Sequence, residues 1–353
     1  MQMATSCGNP GRSGHGPGLD ASRFVFEARI KCAEFLDCKN EDRVVFTSGA
    51  TEALNLAILG SLKPSFKVVT TDLEHNSVAR VLAASKEKMG LNWLCLSAIH
   101  GDFHLNLMAE IDRSGKPNMV IVNHISNVTG VRQDLSELRK ICLENHILLI
   151  IDGSQSVGHE MVKLYKNEIL CFGGHKGLMG PMGIGVMALG EEVQLKPLKF
   201  GGTGSNSESL EMPSALPDQL EVGTQNVPGI HSLGVAVDLF NRDKLVEIKS
   251  HIQELRTLLI NSLNDLRGVV VHSPLEGGSA ISIDIPGNDI GNLSHNLWDK
   301  YEICTRVGLQ CSPLAHKSLG TFPNGTLRVS LGADTKEVMI KAFVDSLKKE
   351  LKY

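Results

Sequence analysis

Phe172-Gly-Gly-His-Lys-Gly-Leu-Met-Gly-Pro-Met-Gly-Ile-Gly185 sets a single lysine, Lys176, beside His175 in a run of glycines. An amine placed this way contributes little to packing. It suits covalent chemistry, because a lysine that condenses with an aldehyde needs closely approached backbone and a neighbour that can hold an anionic group. His175 can be that neighbour. Taken alone, the stretch also fits a glycine-rich surface turn carrying one solvated lysine. The sequence on either side decides between the two.

From Arg43 to about Gly190, short apolar runs alternate with segments of helical period, the pattern of βα units building a parallel sheet covered on both faces. The expected strands are Val44–Thr47, Lys67–Thr70, Met119–Asn123, Leu148–Asp152, Ile169–Phe172 and Ile184–Leu189. Helices are expected at Thr51–Leu59, Ser77–Lys88 and Leu135–Glu144, the last with Asp134 as N-cap. Gly201–Pro217, rich in Gly, Ser, Asn and Pro, reads as a long loop or crossing segment. After Gly229 the texture changes to one long helical stretch over Ile230–Leu266, then strands near Val269–His272 and Ala280–Ile285. A helix follows at Asn292–Tyr301, with strands near Ile303–Val307 and Leu327–Leu331. A closing helix is expected from Asp334, with Glu337 as its capping-box partner. The fold class is α/β, with a large domain over residues 1–229, whose first 20 residues are partly irregular, and a smaller α+β domain over 230–353.

Composition narrows the function. The 353 residues are 42% hydrophobic, ordinary for a globular enzyme, and the net charge of −4 leaves no basic excess for binding nucleic acid. No run reaches transmembrane length, and Met1–His15 lacks the charged and apolar regions of a secretory signal, so the cytoplasm is the expected compartment. The eight cysteines form no CxxC pair, so a metal site is not expected. Cys142 and Cys171 sit among apolar residues as buried thiols. Cys311 lies in Arg306-Val-Gly-Leu-Gln-Cys-Ser-Pro313, which reads as an exposed loop.

In open α/β sheets, reactive groups gather beyond the carboxyl ends of the strands. Those ends are polar here. The first strand is followed by Thr47-Ser-Gly-Ala-Thr-Glu-Ala-Leu-Asn55, whose turn at Ala50 and Thr51 opens a helix and offers N–H groups and a hydroxyl to a phosphate. The next are followed by Asp72-Leu-Glu-His-Asn76, His124-Ile-Ser-Asn-Val-Thr-Gly130 and Asp152-Gly-Ser-Gln155. Each alone is explained as a cap or a turn. Asp152 closes the apolar run Ile147–Asp152, and a carboxylate at the end of a buried strand needs a cationic partner. A protonated pyridine nitrogen would serve. A Schiff-base lysine with an aspartate facing the pyridinium is the recognisable signature of a pyridoxal phosphate site.

The chain resembles the class V aminotransferase family of fold type I pyridoxal-phosphate enzymes, and within it the cysteine desulfurase and selenocysteine lyase branch. The resemblance runs from about Asn9 to the C-terminal helix. It rests on the segments above together with Gly174-His-Lys-Gly177, Glu221-Val-Gly-Thr-Gln-Asn226, Arg306–Cys311 and Leu327-Arg328. It implies that Lys176 holds the cofactor and moves the substrate Cα proton, that Asp152 keeps the pyridine nitrogen protonated, and that Gln155 bonds the ring hydroxyl. It further implies that His75 stacks on the ring, and that Ala50, Thr51 and His175 hold the phosphate with Thr224 from a second subunit, hence a homodimer. Asn127 and Arg328 fall near the substrate carboxylate. Cys311 would take the sulfur of L-cysteine as a persulfide for transfer to an acceptor protein.

The match departs from the family at three places. The family's leading Leu-Asp-Asn-Ala-Ala-Thr segment has no counterpart here, so one wall of the pocket is expected to be incomplete. Gly173 stands where many relatives carry Ser. Gln310 stands where His is common before the nucleophile, and an amide does no acid–base work at neutral pH. Two alternatives stay open beside the desulfurase: another class V reaction, such as selenocysteine lysis or transamination, and a cofactor-binding scaffold without activity.

Overall fold

The computed structural model describes residues 8–11 and 14–352. Cys7 and most of the stretch before His15 lie outside the described residues. The framework is a seven-stranded sheet in the order β1-β7-β6-β5-β4-β2-β3. Its strands are β1 Val44–Thr47, β2 Lys67–Thr71, β3 Asn92–Leu96, β4 Met119–Asn123, β5 Leu148–Asp152, β6 Glu168–Gly173 and β7 Gly185–Leu189. Neighbours from β3 through β6 pair in parallel, while β7 runs antiparallel to both β1 and β6.

Alternation along these strands sends side chains to two cores. Val44, Phe46, Val69, Val120, Val122, Leu149 and Ile151 face one, and Val45, Val68, Met119, Ile121, Ile150 and Ile169 face the other. Both faces are buried, which is why the strands read as near-continuous apolar runs. Each such side chain contributes about 1.5–3 kcal/mol relative to exposure. Helices α2 Ala50–Ser61 and α3 Asn76–Met89 cover one face through Leu54, Ile58, Val78 and Leu82. The other face is covered by α1 Gly16–Phe35, α4 Phe103–Ser114, α5 Leu135–Glu144 and α6 Val227–Asp238. Asp134 caps α5 as expected, accepting from the amides of Ser136 and Glu137.

A second, antiparallel sheet has the order β10-β11-β9-β8, from β8 Val270–Val271, β9 Ala280–Asp284, β10 Arg306–Gly308 and β11 Thr326–Ser330. It packs with α7 Arg242–Asn264, α8 Ile290–Tyr301, α9 Pro313–Ser318 and α10 Glu337–Leu351. Leu259, Ile281, Leu297, Leu327 and Leu347 belong to the same core as the α1 side of the large sheet, so the two regions share one interior.

The structure differs from the expectations in several elements. The stretch Ile230–Leu266 is two helices rather than one, because Asn241 turns out of the helix and caps α7 by accepting from the Lys244 amide. The closing helix starts at Glu337 rather than Asp334, and no side chain caps it. Gly332 N–H instead donates to the Thr335 hydroxyl, and His251 Nε2 contacts the Thr335 carbonyl at 2.7 Å, which keeps that turn outside the helix. Helix α1 begins at Gly16, within the segment expected to be partly irregular. Edge strand β3 and helix α4 were not anticipated, because β3 is only partly covered and carries a weak apolar pattern. Gly201–Pro217 contains neither helix nor strand. No helix among the described residues is long and apolar enough to cross a membrane.

Candidate active site

Strands β1, β2, β4, β5 and β6 end at one edge of the large sheet. The reversed strand β7 starts there, with Gly185 opposite both Thr47 and Gly173. A Cβ on Gly185 would lie 2.6 Å from backbone atoms of Gly49, so only glycine lets the first turn of α2 close against the lysine loop. Ala50 and His175 meet at Gly173, where a Cβ would sit 3.8 Å from the Ala50 nitrogen and 3.4 Å from the His175 ring. No side chain caps α2, so the N–H groups of Ala50 and exposed Thr51 open its positive end toward a ligand.

Asp152 ends β5 with only 4% of its surface exposed. It pairs in register with Asn123 on one side and Cys171 on the other. Its Oδ1 accepts from the Ser154 amide at 2.9 Å within its own turn, and among the described residues no side-chain cation forms an ion pair with it. A carboxylate buried so calls for a cation. Glu74 next to it is fully buried. Its Oε1 accepts from the Thr71 hydroxyl at 2.6 Å and the Asn123 amide at 2.8 Å, while Oε2 has no partner. Burial pushes Glu74 up to about 8; the Thr71 hydroxyl opposes the rise and the Asp152 charge adds to it. Burial beside the Asp152 charge thus favours the protonated form of Glu74.

Lys176 is half-buried in the turn after β6. Burial lowers its pKa, the attraction of Asp152 opposes this, and the positive charges of Arg328 and Arg306 add to the lowering. More of the lysine is thus the neutral amine that can act as nucleophile. His75 caps α3, with Nδ1 accepting from the Ser77 amide at 3.1 Å, and its pKa is lowered chiefly by burial, against the pull of Asp152. Gln155 is half-buried in the turn after Asp152.

The second sheet supplies the facing wall. Cys311 was expected in an exposed loop, but it is half-buried in a tight turn where Gln310 and Cys311 have φ of 42° and 62°. Its carbonyl accepts from the Asn76 amide at 2.7 Å, which places it directly beside His75. Arg306 Nη2 donates to Cys311 Sγ at 3.5 Å. Arg306 and Arg328 face each other across β10 and β11. Arg328 gives Nη1 to the Asn127 carbonyl at 2.8 Å and holds its Nε buried without a partner. Gln310 is a buried strut, donating to the Thr326 carbonyl at 2.8 Å and contacting His316 Nε2 at 2.8 Å.

The structure therefore brings together His75, Asp152, Lys176, Asn127, Cys311 and Arg328, and at the α2 end Ala50 and His175. Thr224 stands apart within this chain: it is exposed and lines another cavity of about 450 Å³ with Phe26, Arg29 and Glu221. Glu221 anchors that segment through paired bonds to Arg29 at 2.8 and 2.9 Å and one from the Phe46 amide at 2.6 Å. Sequence reasoning assigned no role to Arg306 or Glu74. Arg306 is signalled by its place five residues before Cys311, across Gly308 with φ 90°.

The residues fit pyridoxal phosphate. The unpaired Asp152 matches a ring nitrogen carrying a proton, the uncapped start of α2 matches a phosphate, and Lys176, within reach of the Asp152 charge, has a lowered pKa. The chain belongs to the class-V aminotransferase family, whose model matches residues 2–343. That family is pyridoxal-phosphate dependent. More particularly, the chain is similar to a probable cysteine desulfurase of Methanothermobacter thermautotrophicus, 30% identical over 332 residues that cover 92% of this chain and 82% of that one. A probable cysteine desulfurase of Pyrococcus abyssi is also 30% identical, over 94% of this chain and 84% of the relative. The apo structure of a cysteine desulfurase from Thermococcus onnurineus superposes with a TM-score of 0.89 at 27% identity, covering 99% of this chain and 88% of the other.

Proposed function

We propose that this chain is a pyridoxal-phosphate-dependent cysteine desulfurase that converts L-cysteine to L-alanine and leaves the sulfur as a persulfide on Cys311. The observation that carries the reading is the convergence of Lys176, unpaired Asp152 and a cysteine in contact with Arg306 on one site. Bound there, the cofactor supplies an electron sink for bond changes at the amino acid's Cα. Lys176 would hold the cofactor aldehyde and would take the Cα proton of the amino acid. Asp152 would keep the ring nitrogen protonated, Gln155 would bond the ring hydroxyl, and Ala50, Thr51 and His175 would hold the phosphate. Arg328 receives the substrate carboxylate with its free Nε–H, and the nearby Arg306 raises the demand for an anion there.

The Cys311 thiolate then attacks the substrate sulfur. An S–S bond forms as the substrate Cβ–S bond breaks, and the electron pair stays with the carbon, which is protonated to become the methyl group of alanine. His75, neutral at pH 7 because burial lowers its pKa, stands beside this carbon and sulfur to move protons. Arg306 stabilises the sulfur anion. Exposed Thr224 reaches the phosphate of a second copy, so the working unit is a homodimer, and the persulfide passes to an acceptor protein in the cytoplasm. The division into 1–229 and 230–353 belongs to the same proposal: the first part carries the cofactor residues and the second carries Cys311 and Arg328. The test is to add L-cysteine to purified wild type and Cys311→Ala, then measure alanine release and persulfide by mass. The variant should lose both. Full consumption of L-cysteine by the variant, with a keto acid appearing in place of alanine, would redirect the reading to β-elimination or transamination.

A further inference from the structure

Four successive carbonyls in the turn after β4 accept hydrogen bonds from the C-terminal region. The Asn127 carbonyl accepts from Arg328 Nη1 at 2.8 Å and that of Val128 from the Ser282 hydroxyl at 2.7 Å. The Thr129 carbonyl accepts from Arg256 Nη2 at 3.0 Å, and that of Gly130 from the Gly278 amide at 2.7 Å. Their shared direction comes from Ser126, whose hydroxyl oxygen accepts from the amides of Val128 and Thr129, both at 3.2 Å, and winds the segment into a turn. Arg256 is completely buried and has no carboxylate partner. Its remaining donors go to the carbonyls of Pro274, Gly278 and Ala280. The turn is thus clamped to the second sheet.

The side chain of Asn127 points this rigidity at the nucleophile. Its Nδ2 donates to the Gln310 carbonyl at 2.8 Å, and its Oδ1 accepts from the Ser312 hydroxyl at 2.9 Å. These are the residues on either side of Cys311. An amide is the group that can donate to one and accept from the other at once. Asn127, Gln310 and Ser312 are all at most 5% exposed, so water does not compete for these bonds. The turn they grip needs holding, because two successive residues with a Cβ sit in the left-handed region, where L side chains crowd their own backbone.

We propose that Asn127 is the positioning residue of the nucleophile. Its amide holds the Gln310 carbonyl and the Ser312 hydroxyl on either side of Cys311 and keeps the sulfur turned toward Arg306 and the lysine side of the site. The proposal rests on the reading of Cys311 as the group that takes the sulfur. It also separates the work on the substrate: Arg328 serves the carboxylate through Nε, while the Asn127 amide is spent on the turn.

The experiment uses cofactor-loaded Asn127→Ala and Ser312→Ala with three readouts: hydrogen exchange of residues 309–312, half-saturation by L-alanine followed through the visible band, and the rate of persulfide formation after a pulse of L-cysteine. Asn127→Ala should speed exchange in 309–312 at least tenfold while β2 stays protected. It should slow persulfide formation at least tenfold and leave alanine half-saturation within about twofold. Ser312→Ala should give the same pattern at smaller size, and it carries the test alone if Asn127→Ala does not fold. Unchanged exchange in 309–312 overturns the proposal. So does a weakening of alanine binding that matches the loss of persulfide, since the amide would then be serving the carboxylate. Should wild type form no persulfide while the exchange contrast remains, the reading of the reaction fails and the clasp on Cys311 stands.

Discussion

The two walls of the site are built on different principles. The wall carrying Asp152, His75 and Lys176 is made of strand ends, each residue placed by the strand or helix cap immediately before it in the chain. The wall carrying Cys311 is made of a short turn in the left-handed region, placed by bonds to Asn76 and Asn127, far away in the chain. The first has its geometry from the sheet and spends its chemistry on an uncompensated carboxylate. The second has its geometry from polar side chains and spends its chemistry on a sulfur beside a guanidinium. A change in one wall should leave the signals of the other intact.

The largest test of that separation is Lys176→Ala. It should abolish the visible cofactor band and lower alanine release by about a thousandfold, on the scale of losing a positioned acid–base group. Alkylation of Cys311 by iodoacetamide should stay near the wild-type rate. Next comes Arg256→Met, which removes the shared anchor and leaves several buried carbonyls unpaired. Denaturant unfolding should report a loss of about 3 kcal/mol. Arg306→Ala acts on the nucleophile wall alone: persulfide formation should fall about thirtyfold, with the visible band unchanged, since a charge-assisted contact to sulfur is lost. An equal fall in cofactor uptake would break the separation.

The effect of Glu74→Gln is confined to one wall and shows in pH. Folding holds the Glu74 carboxyl protonated up to about 8, above its ordinary value of 4.5. The stability this contributes is complete below that ordinary value and is lost as pH rises through about 8. Glutamine has no proton to lose. The stability of wild type should therefore fall relative to that of the variant as pH rises from 5 to 9. Parallel curves over that range would mean that Glu74 is ionised in the fold.

The same contrast governs what the amino-acid sequence reveals. The strands ending at Thr47, Asn123 and Asp152 were legible because burial on both faces writes a continuous apolar run with a polar stop. The cap at Asp134 was legible because it acts on its own helix. Strand β3 was not, since an edge strand with one open side has little pattern to show. Asn241 broke a helix whose two halves both carry helical periodicity, so periodicity alone ran through the break. Asp334 and Glu337 have capping-box spacing, but the Thr335 hydroxyl and His251 hold the intervening turn. At the site, Lys176 and Asp152 carry a local signal, the first among glycines and the second at the end of an apolar run, whereas His75 is assigned only by the resemblance. The partners of Cys311 carry no such signal, because Asn76, Asn127 and Arg306 reach it only after both sheets have formed.

Arg256 gives the joint between the sheets a particular resilience. Every partner of its guanidinium is a peptide carbonyl, and carbonyls do not titrate. Glu160, a further tie across the regions, meets Lys249 at 2.9 Å and Arg132 at 3.1 Å and depends on a carboxylate staying charged. Acidification therefore unfastens the outer latch first and spares the inner hinge pin, so the molecule should loosen at its rim while its two halves remain in register.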